Sequence, residues 1–110
     1  MISQKSESYL APSVQARVME LNNNGDVPPT IIIENIGTAA SASIVIEESD
    51  DGTTWTPLAG TTKAINPGKS CSQIITSVKR KLALSAGGNV RLLVTVIRQV
   101  NGPVNDLGTA

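Results

Sequence analysis

Residues 90–98 read Val-Arg-Leu-Leu-Val-Thr-Val-Ile-Arg, and this stretch decides the fold class. Aliphatic and β-branched side chains favour strands, because they pack well on a pleated surface. The run is apolar on both faces, with Leu92, Val94 and Val96 on one face and Leu93 and Ile97 on the other. It predicts a central strand over residues 90–100, whose second face is covered either by the protein itself or by another subunit.

Turn signals divide the rest of the chain into short segments. Asp51-Gly52 is the clearest signal, because this pair tolerates the positive φ angles of a tight hairpin. Further strands are expected over residues 14–21, 30–35, 42–48, 53–58, 61–65 and 70–76, and residues 78–86 fit either a strand or a helical turn. About eight short strands at intervals of about ten residues are typical of an antiparallel β-sandwich.

The length of 110 residues suits one domain. Residues 1–13 are polar and lack a regular period, so we expect an extended N-terminal arm before a sandwich over 14–104 and a C-terminal tail over 105–110. Ordering the arm costs roughly 1–2 kcal/mol per residue. Since its apolar anchors are few (Ile2, Tyr9 and Leu10), we expect it to dock on a neighbouring subunit rather than on its own core, and the alternative is a frayed terminus.

The composition limits the chemistry. The chain has no histidine and one cysteine, Cys71, which removes the commonest general base, the commonest zinc ligand and any internal disulfide. No glycine-rich phosphate loop is present. We therefore predict a protein that is not an enzyme, with no catalytic, cofactor-binding or metal-binding residues, and we interpret Cys71 as a small core residue.

The net charge is zero and gives no argument for nucleic acid or membrane binding. Residues 1–55 nevertheless hold two basic and eight acidic side chains, whereas residues 56–110 hold seven basic and one acidic. If the strands of the two halves interleave, these charges intermix. If they do not, they form a two-signed surface that suits contacts between copies or with a partner.

Three local features each allow two interpretations. The acidic segment 47–52 is either a solvated turn or a weak calcium site. The basic run Lys79-Arg80-Lys81 is either a solvated face or a set of partners for acidic groups, and it lacks the aromatic neighbours of a nucleic-acid site. Trp55 either covers the sandwich beside the hairpin or forms a solitary carbohydrate platform.

Several segments resemble known modules. Residues 35–40 (Asn-Ile-Gly-Thr-Ala-Ala), the apolar strand at 44–47 and residues 65–70 (Ile-Asn-Pro-Gly-Lys-Ser) resemble the frame of immunoglobulin-like adhesion modules of the CARDB type. Residues 48–58 are similar to a "S-D-G-x-x-W-x-x-L" hairpin of many phage head and tail proteins and of discoidin-like modules. The resemblance spans roughly residues 30–75 and implies an immunoglobulin-like β-sandwich, while any function drawn from it is analogy.

The start of the chain has no apolar segment of the secretory type, so we expect synthesis in the cytoplasm without a signal peptide. With the resemblance, this favours a capsid decoration or cement protein on the surface of a phage head, a homotrimer that contacts the major capsid protein. The alternatives are a carbohydrate- or cell-surface-binding module and a tail or baseplate component. The residues predicted to bind partners are Ile2, Tyr9, Leu10, Lys79, Arg80, Lys81, Leu93 and Ile97.

Overall fold

A computed structural model describes residues 2–23 and 28–99. Within these ranges the chain forms nine strands and no helix, so no described helix is long and apolar enough to cross a membrane. The strands are β1 (Ile2–Ala11), β2 (Ala16–Asn22), β3 (Thr30–Asn35), β4 (Ala42–Ser49), β5 (Thr56–Pro57), β6 (Lys63–Ile65), β7 (Ser70–Ile74), β8 (Lys81–Gly87) and β9 (Val90–Gln99). The predicted tail over 105–110 and the end of the predicted sandwich over 100–104 lie outside the described residues.

The strands pair into two antiparallel sheets. Sheet A has the order β1-β9-β3-β7, and sheet B has the order β2-β8-β4-β5, with β6 also paired to β4. Since β5 and β6 pair with successive parts of β4, they act as one interrupted strand. The predicted all-β sandwich is therefore confirmed, and the segment 78–86 that allowed two interpretations contains a strand.

The strand order refines the expectation taken from the resemblance. An immunoglobulin-like domain places its first strand beside its second. Here β1 pairs with β9, the last described strand, and β2 lies in the other sheet. Two four-stranded layers connected in this way form a jelly roll, a double Greek key.

The N-terminal segment differs from its predicted role. It is extended as expected, but Ile2–Ala11 is a strand of the chain's own sandwich, with an unbroken ten-residue register from Ile2 opposite Gln99 to Ala11 opposite Val90. The expectation that residues 1–13 stand apart from the domain is thus corrected. Backbone hydrogen bonds to β9 help to offset the conformational entropy that this segment loses on ordering, because burial of its few apolar side chains is not sufficient.

The core lies between the sheets and is aliphatic. Alternate residues of each strand point inward, and the largest fully buried side chains include Ile31, Ile33, Leu92 and Val94 of sheet A and Ile44, Ile46, Leu82 and Leu84 of sheet B. Full burial of such a side chain contributes about 1.5–3 kcal/mol. With no phenylalanine in the chain, β-branched and leucine side chains fill this space.

The residues that carry the resemblance have structural roles. Asn35 is fully buried, and its Nδ2 donates to the carbonyl oxygens of Ala40 and Ile65 at 2.9 Å each. Its Oδ1 accepts from the backbone N–H of Gly37 at 2.9 Å. One side chain therefore ties the β3–β4 loop to β6, which accounts for the Asn-x-Gly spacing without any ligand.

Candidate functional site: the outer face of sheet A

Sheet A turns one face to the core and the other to solvent. Strand alternation and register define its outer face, which consists of Gln4, Ser6, Ser8 and Leu10 of β1, Arg91, Leu93, Thr95 and Ile97 of β9, Thr30, Ile32 and Glu34 of β3, and Ser70, Ser72 and Ile74 of β7. Most of these side chains are aliphatic or carry hydroxyl groups, and only Arg91 and Glu34 are charged. The face is thus nearly free of charge.

The aliphatic side chains of this face are partly open to solvent. Leu10 is 56% exposed and Ile74 is 70% exposed, while Ile32, Leu93 and Ile97 are half-buried. Between them the hydroxyl groups of Ser6 and Thr95 share a hydrogen bond of 2.8 Å. Depletion of charge with retained apolar area is the composition that distinguishes the centre of a protein interface.

Sequence reasoning located part of this surface. Leu10, Leu93 and Ile97, predicted to bind partners, lie together on the outer face, and Ile2 is placed opposite Gln99 at the start of β1. Ile32 was missed because three consecutive isoleucines hide which one points outward. Ile74 was missed because only the register with Thr30 brings it to this face.

Tyr9, the remaining predicted anchor on β1, points the other way. It is half-buried and lines a cleft of about 200 Å³ between the edge strands β1 and β2, together with Met19, Leu21, Val94 and Val96. Charged side chains lie around the cleft, namely Lys5, Glu7, Glu20 and Arg98. Burial, with a smaller contribution from Glu7, raises the pKa of the Tyr9 phenol.

The predicted basic cluster is not part of the outer face of sheet A. Lys79 and Arg80 precede β8, and Lys81 begins it, beside the acidic hairpin after β4. The Lys79 ammonium donates to Asp50 at 3.0 Å, and this contact raises its pKa. At least one member of the cluster therefore has its acidic partner within the chain. Here a basic residue from the second half of the sequence (residues 56–110) pairs with an acidic residue from the first half (residues 1–55).

The hairpin itself is held by its own hydrogen bonds. Asp51 Oδ1 accepts from the backbone N–H groups of Thr53 at 2.8 Å and Thr54 at 2.9 Å, and from the Ser49 hydroxyl at 3.0 Å. These donors lower the pKa of Asp51 to about 2. Gly52 adopts the expected positive φ of 77°. Among the described residues no group of three or more acidic or cysteine side chains is placed to hold a metal ion, and the hydrogen bonds favour the solvated-turn interpretation of this segment.

Trp55 belongs to the outer face of sheet B. Its indole N–H donates to the Gly52 carbonyl at 3.2 Å, and the Arg17 guanidinium lies 5.2 Å from the ring centroid. Arg17 also lies 3.5 Å from Glu47. On this same face Ala83 and Ser85 are buried, although they point away from the core. Trp55 is half-buried and its contact with Arg17 is intramolecular, which favours its interpretation as a cover of the sandwich over a carbohydrate platform.

Cys71 lies opposite Ile33 on the inner side of sheet A. It is half-buried and packs against the core, and this burial raises the pKa of its thiol. A raised pKa keeps the thiol protonated and weakly nucleophilic, which agrees with its interpretation as a packing residue.

Comparisons with known proteins find solved structures of similar fold. No protein-family model matches the chain, and no curated protein sequence matches it. Among solved structures, the prophage-derived protein YomS of SPBc2 has a TM-score of 0.58 at 15% identity, covering 89% of this chain and 96% of its own. A chain from Bacillus endospore appendages, described as disulfide-linked pili, has a TM-score of 0.57 at 15% identity, covering 92% and 88%. PirA has a TM-score of 0.54 at 13% identity, covering 84% and 90%.

These similarities extend over most of both chains in each comparison. At such low identity they show a shared fold. They do not transfer the assembly or activity of one protein to another.

Proposed function

We propose that this chain is a non-enzymatic structural protein of a virus particle, which decorates and stabilises a phage head by docking the outer face of sheet A on the capsid. The observation that carries the proposal is that face: a nearly uncharged surface of leucine, isoleucine, serine and threonine on a domain whose core is already complete. The partners are the major capsid protein and other copies of the chain, and the location is the virion surface.

The mechanism is avidity. A flat face with a few aliphatic contacts gives each copy a modest affinity, and many copies on a repetitive shell act together, so that their combined binding resists expansion of the shell. The fold is one that also occurs in a prophage-derived protein and in a pilus subunit, and this supports a structural role as analogy.

Co-sedimentation with assembled shells of the proposed partner, a phage major capsid protein, tests the proposal. Wild-type protein is expected to pellet with assembled shells and to stay in solution with unassembled capsid protein. Leu93→Ser should weaken shell binding about tenfold, because it places a polar group at the centre of the docking face.

Val45→Ser is the matched control, since Val45 is half-buried on the outer face of sheet B, beside Ser85. It should bind shells as wild type does. Equal binding by Leu93→Ser and wild type would overturn the assignment of this face. Binding to tail tubes, baseplates or glycans in place of shells would overturn the decoration role.

A further inference from the structure

The sheet edges of the sandwich differ in how well they can pair with another chain. At one edge of sheet B the register of β2 shifts between Arg17 and Met19. At the other edge the short strands β5 and β6 pair with separate parts of β4, so the edge is not continuous. In sheet A the edge strand β7 has only five residues. By contrast β1 is ten residues long, contains no proline and pairs with β9 without a register shift. A long, regular edge strand presents a row of unpaired backbone groups and is a template for a further strand.

The sequence of β1 is complementary to itself. Lys5 and Glu7 lie on the same side of the strand, 2.9 Å apart, with side chains 76% and 47% exposed. In an antiparallel pair of two β1 strands centred on Ser6, Lys5 of each copy stands opposite Glu7 of the other. Registers centred on Lys5 or on Glu7 instead place like charges opposite each other, which is destabilising.

We propose that two copies of this chain associate through their β1 edges as an antiparallel pair with a two-fold axis at Ser6. The two four-stranded A sheets then form one continuous sheet, and two Lys5–Glu7 ion pairs cross the junction. At its centre the outer side carries Gln4, Ser6 and Ser8, whose small or flexible polar side chains allow close approach of the strands.

The contact is isologous, so it closes at two copies. A trimer, which the resemblance implies, would require β1 to pair with a different edge of its neighbour. The pair also extends the outer face of sheet A across two copies. It forms without a shell, so it stands or fails separately from the proposed decoration function.

Charge reversal tests the pair by sedimentation equilibrium of the full chain at low salt. Wild type is expected to show a concentration-dependent monomer–dimer equilibrium. Lys5→Glu and Glu7→Lys each place like charges at both crossing points and should weaken dimerisation about tenfold or more. An equimolar mixture of these two variants should form heterodimers, because each Glu at position 5 or 7 then faces a Lys.

The matched control is the double variant Lys5→Glu/Glu7→Lys, which exchanges the charges and keeps every crossing pair opposite in sign. It should dimerise as wild type does, and circular dichroism should show that all variants stay folded. The proposal is overturned if wild type is a monomer or a trimer, if the single reversals leave dimerisation unchanged, or if the mixture fails to associate.

Cysteine cross-linking tests the register in a Cys71→Ser background. Two copies of Ser6→Cys face each other across the axis, so mild oxidation should give a disulfide-linked dimer. Ser8→Cys faces Gln4 of the other copy and should cross-link only when mixed with Gln4→Cys. Efficient cross-linking of Ser8→Cys with itself would refute the register centred on Ser6.

Discussion

The outer faces of sheets A and B differ in the size and the burial of their side chains. On sheet B the Arg17 guanidinium contacts both the Trp55 ring and the Glu47 carboxylate. The residues opposite Arg17 and Glu47 on this face, Ser85 and Ala83, are small and buried. On sheet A the outward residues are larger, and Leu10 and Ile74 remain exposed. The chain's one tryptophan lies on the outer side of sheet B. The partner-binding face that we propose is the outer face of sheet A, where no aromatic side chain covers the exposed aliphatic residues.

The largest expected effect comes from removing the outermost strand of sheet A. Deletion of residues 1–11 takes away β1 and exposes the edge of β9, including the inward side chains of Leu92 and Val94. The loss is expected to be comparable to the whole stability of a small domain, about 5–15 kcal/mol, so the truncated chain should not fold. Far-UV circular dichroism and urea unfolding measure it.

Leu10→Ser is the control for that deletion, because it keeps the backbone of β1 and changes one exposed side chain. It should alter the free energy of unfolding by less than about 1 kcal/mol. If the truncated protein melts at the wild-type temperature, residues 1–11 are an arm and sheet A is complete without them.

The strand that this deletion removes is also the one that the sequence did not reveal. Interior strands such as Thr30–Asn35 and Val90–Gln99 were predicted almost to the residue, because burial on one or both faces requires aliphatic side chains there. The strand β1 lies at an edge, where its inward positions include the exposed Lys5 and Glu7. This strand is held mainly by backbone hydrogen bonds to β9, which do not require apolar side chains. Its sequence therefore lacks the apolar alternation by which a strand can be predicted.

The candidate site was predictable to a similar extent. Leu93 and Ile97 were predicted because a strand that is apolar on both faces needs other residues packed against each face. The strands that flank them depend on the register, which the sequence of one strand does not specify. The partner of Lys79 was not predictable from local sequence, since Asp50 is 29 positions away along the chain. Contacts between distant segments arise from topology, which local patterns do not specify.

Truncation of Trp55 is the next largest expected effect and tests the cover of sheet B. Complete removal of a buried aromatic side chain costs about 3–5 kcal/mol. Since Trp55 is half-buried, Trp55→Ala should lower the free energy of unfolding by about 2 kcal/mol while leaving shell binding unchanged. Urea unfolding and co-sedimentation measure the two effects.

The contrast with Leu93→Ser sharpens the comparison of the faces. That substitution on sheet A should reduce shell binding and cost less stability than Trp55→Ala, because Leu93 points away from the core. If Trp55→Ala instead abolished binding without loss of stability, the partner would dock on sheet B and the roles of the two faces would be exchanged.

The smallest expected effect concerns Asp51, in the hairpin that presents Trp55. Backbone N–H groups of Thr54 and Thr53 lower its folded pKa to about 2 from an ordinary value of 3.8. A lowered folded pKa stabilises the native state above the unfolded pKa, and this stabilisation is lost as pH falls through the folded value. Asp51→Asn keeps an oxygen acceptor but removes the charge, so it should be slightly less stable than wild type at pH 7. The difference should close between about pH 4 and about pH 2. Urea midpoints at pH 7, 4 and 2 measure it.

Asp50→Asn makes the same charge change one residue earlier, where the partner is Lys79, and its effect should fade with added salt because that ion pair is exposed. A difference for Asp51→Asn that stays constant from pH 7 to pH 2 would show that the carboxylate charge does not hold the turn.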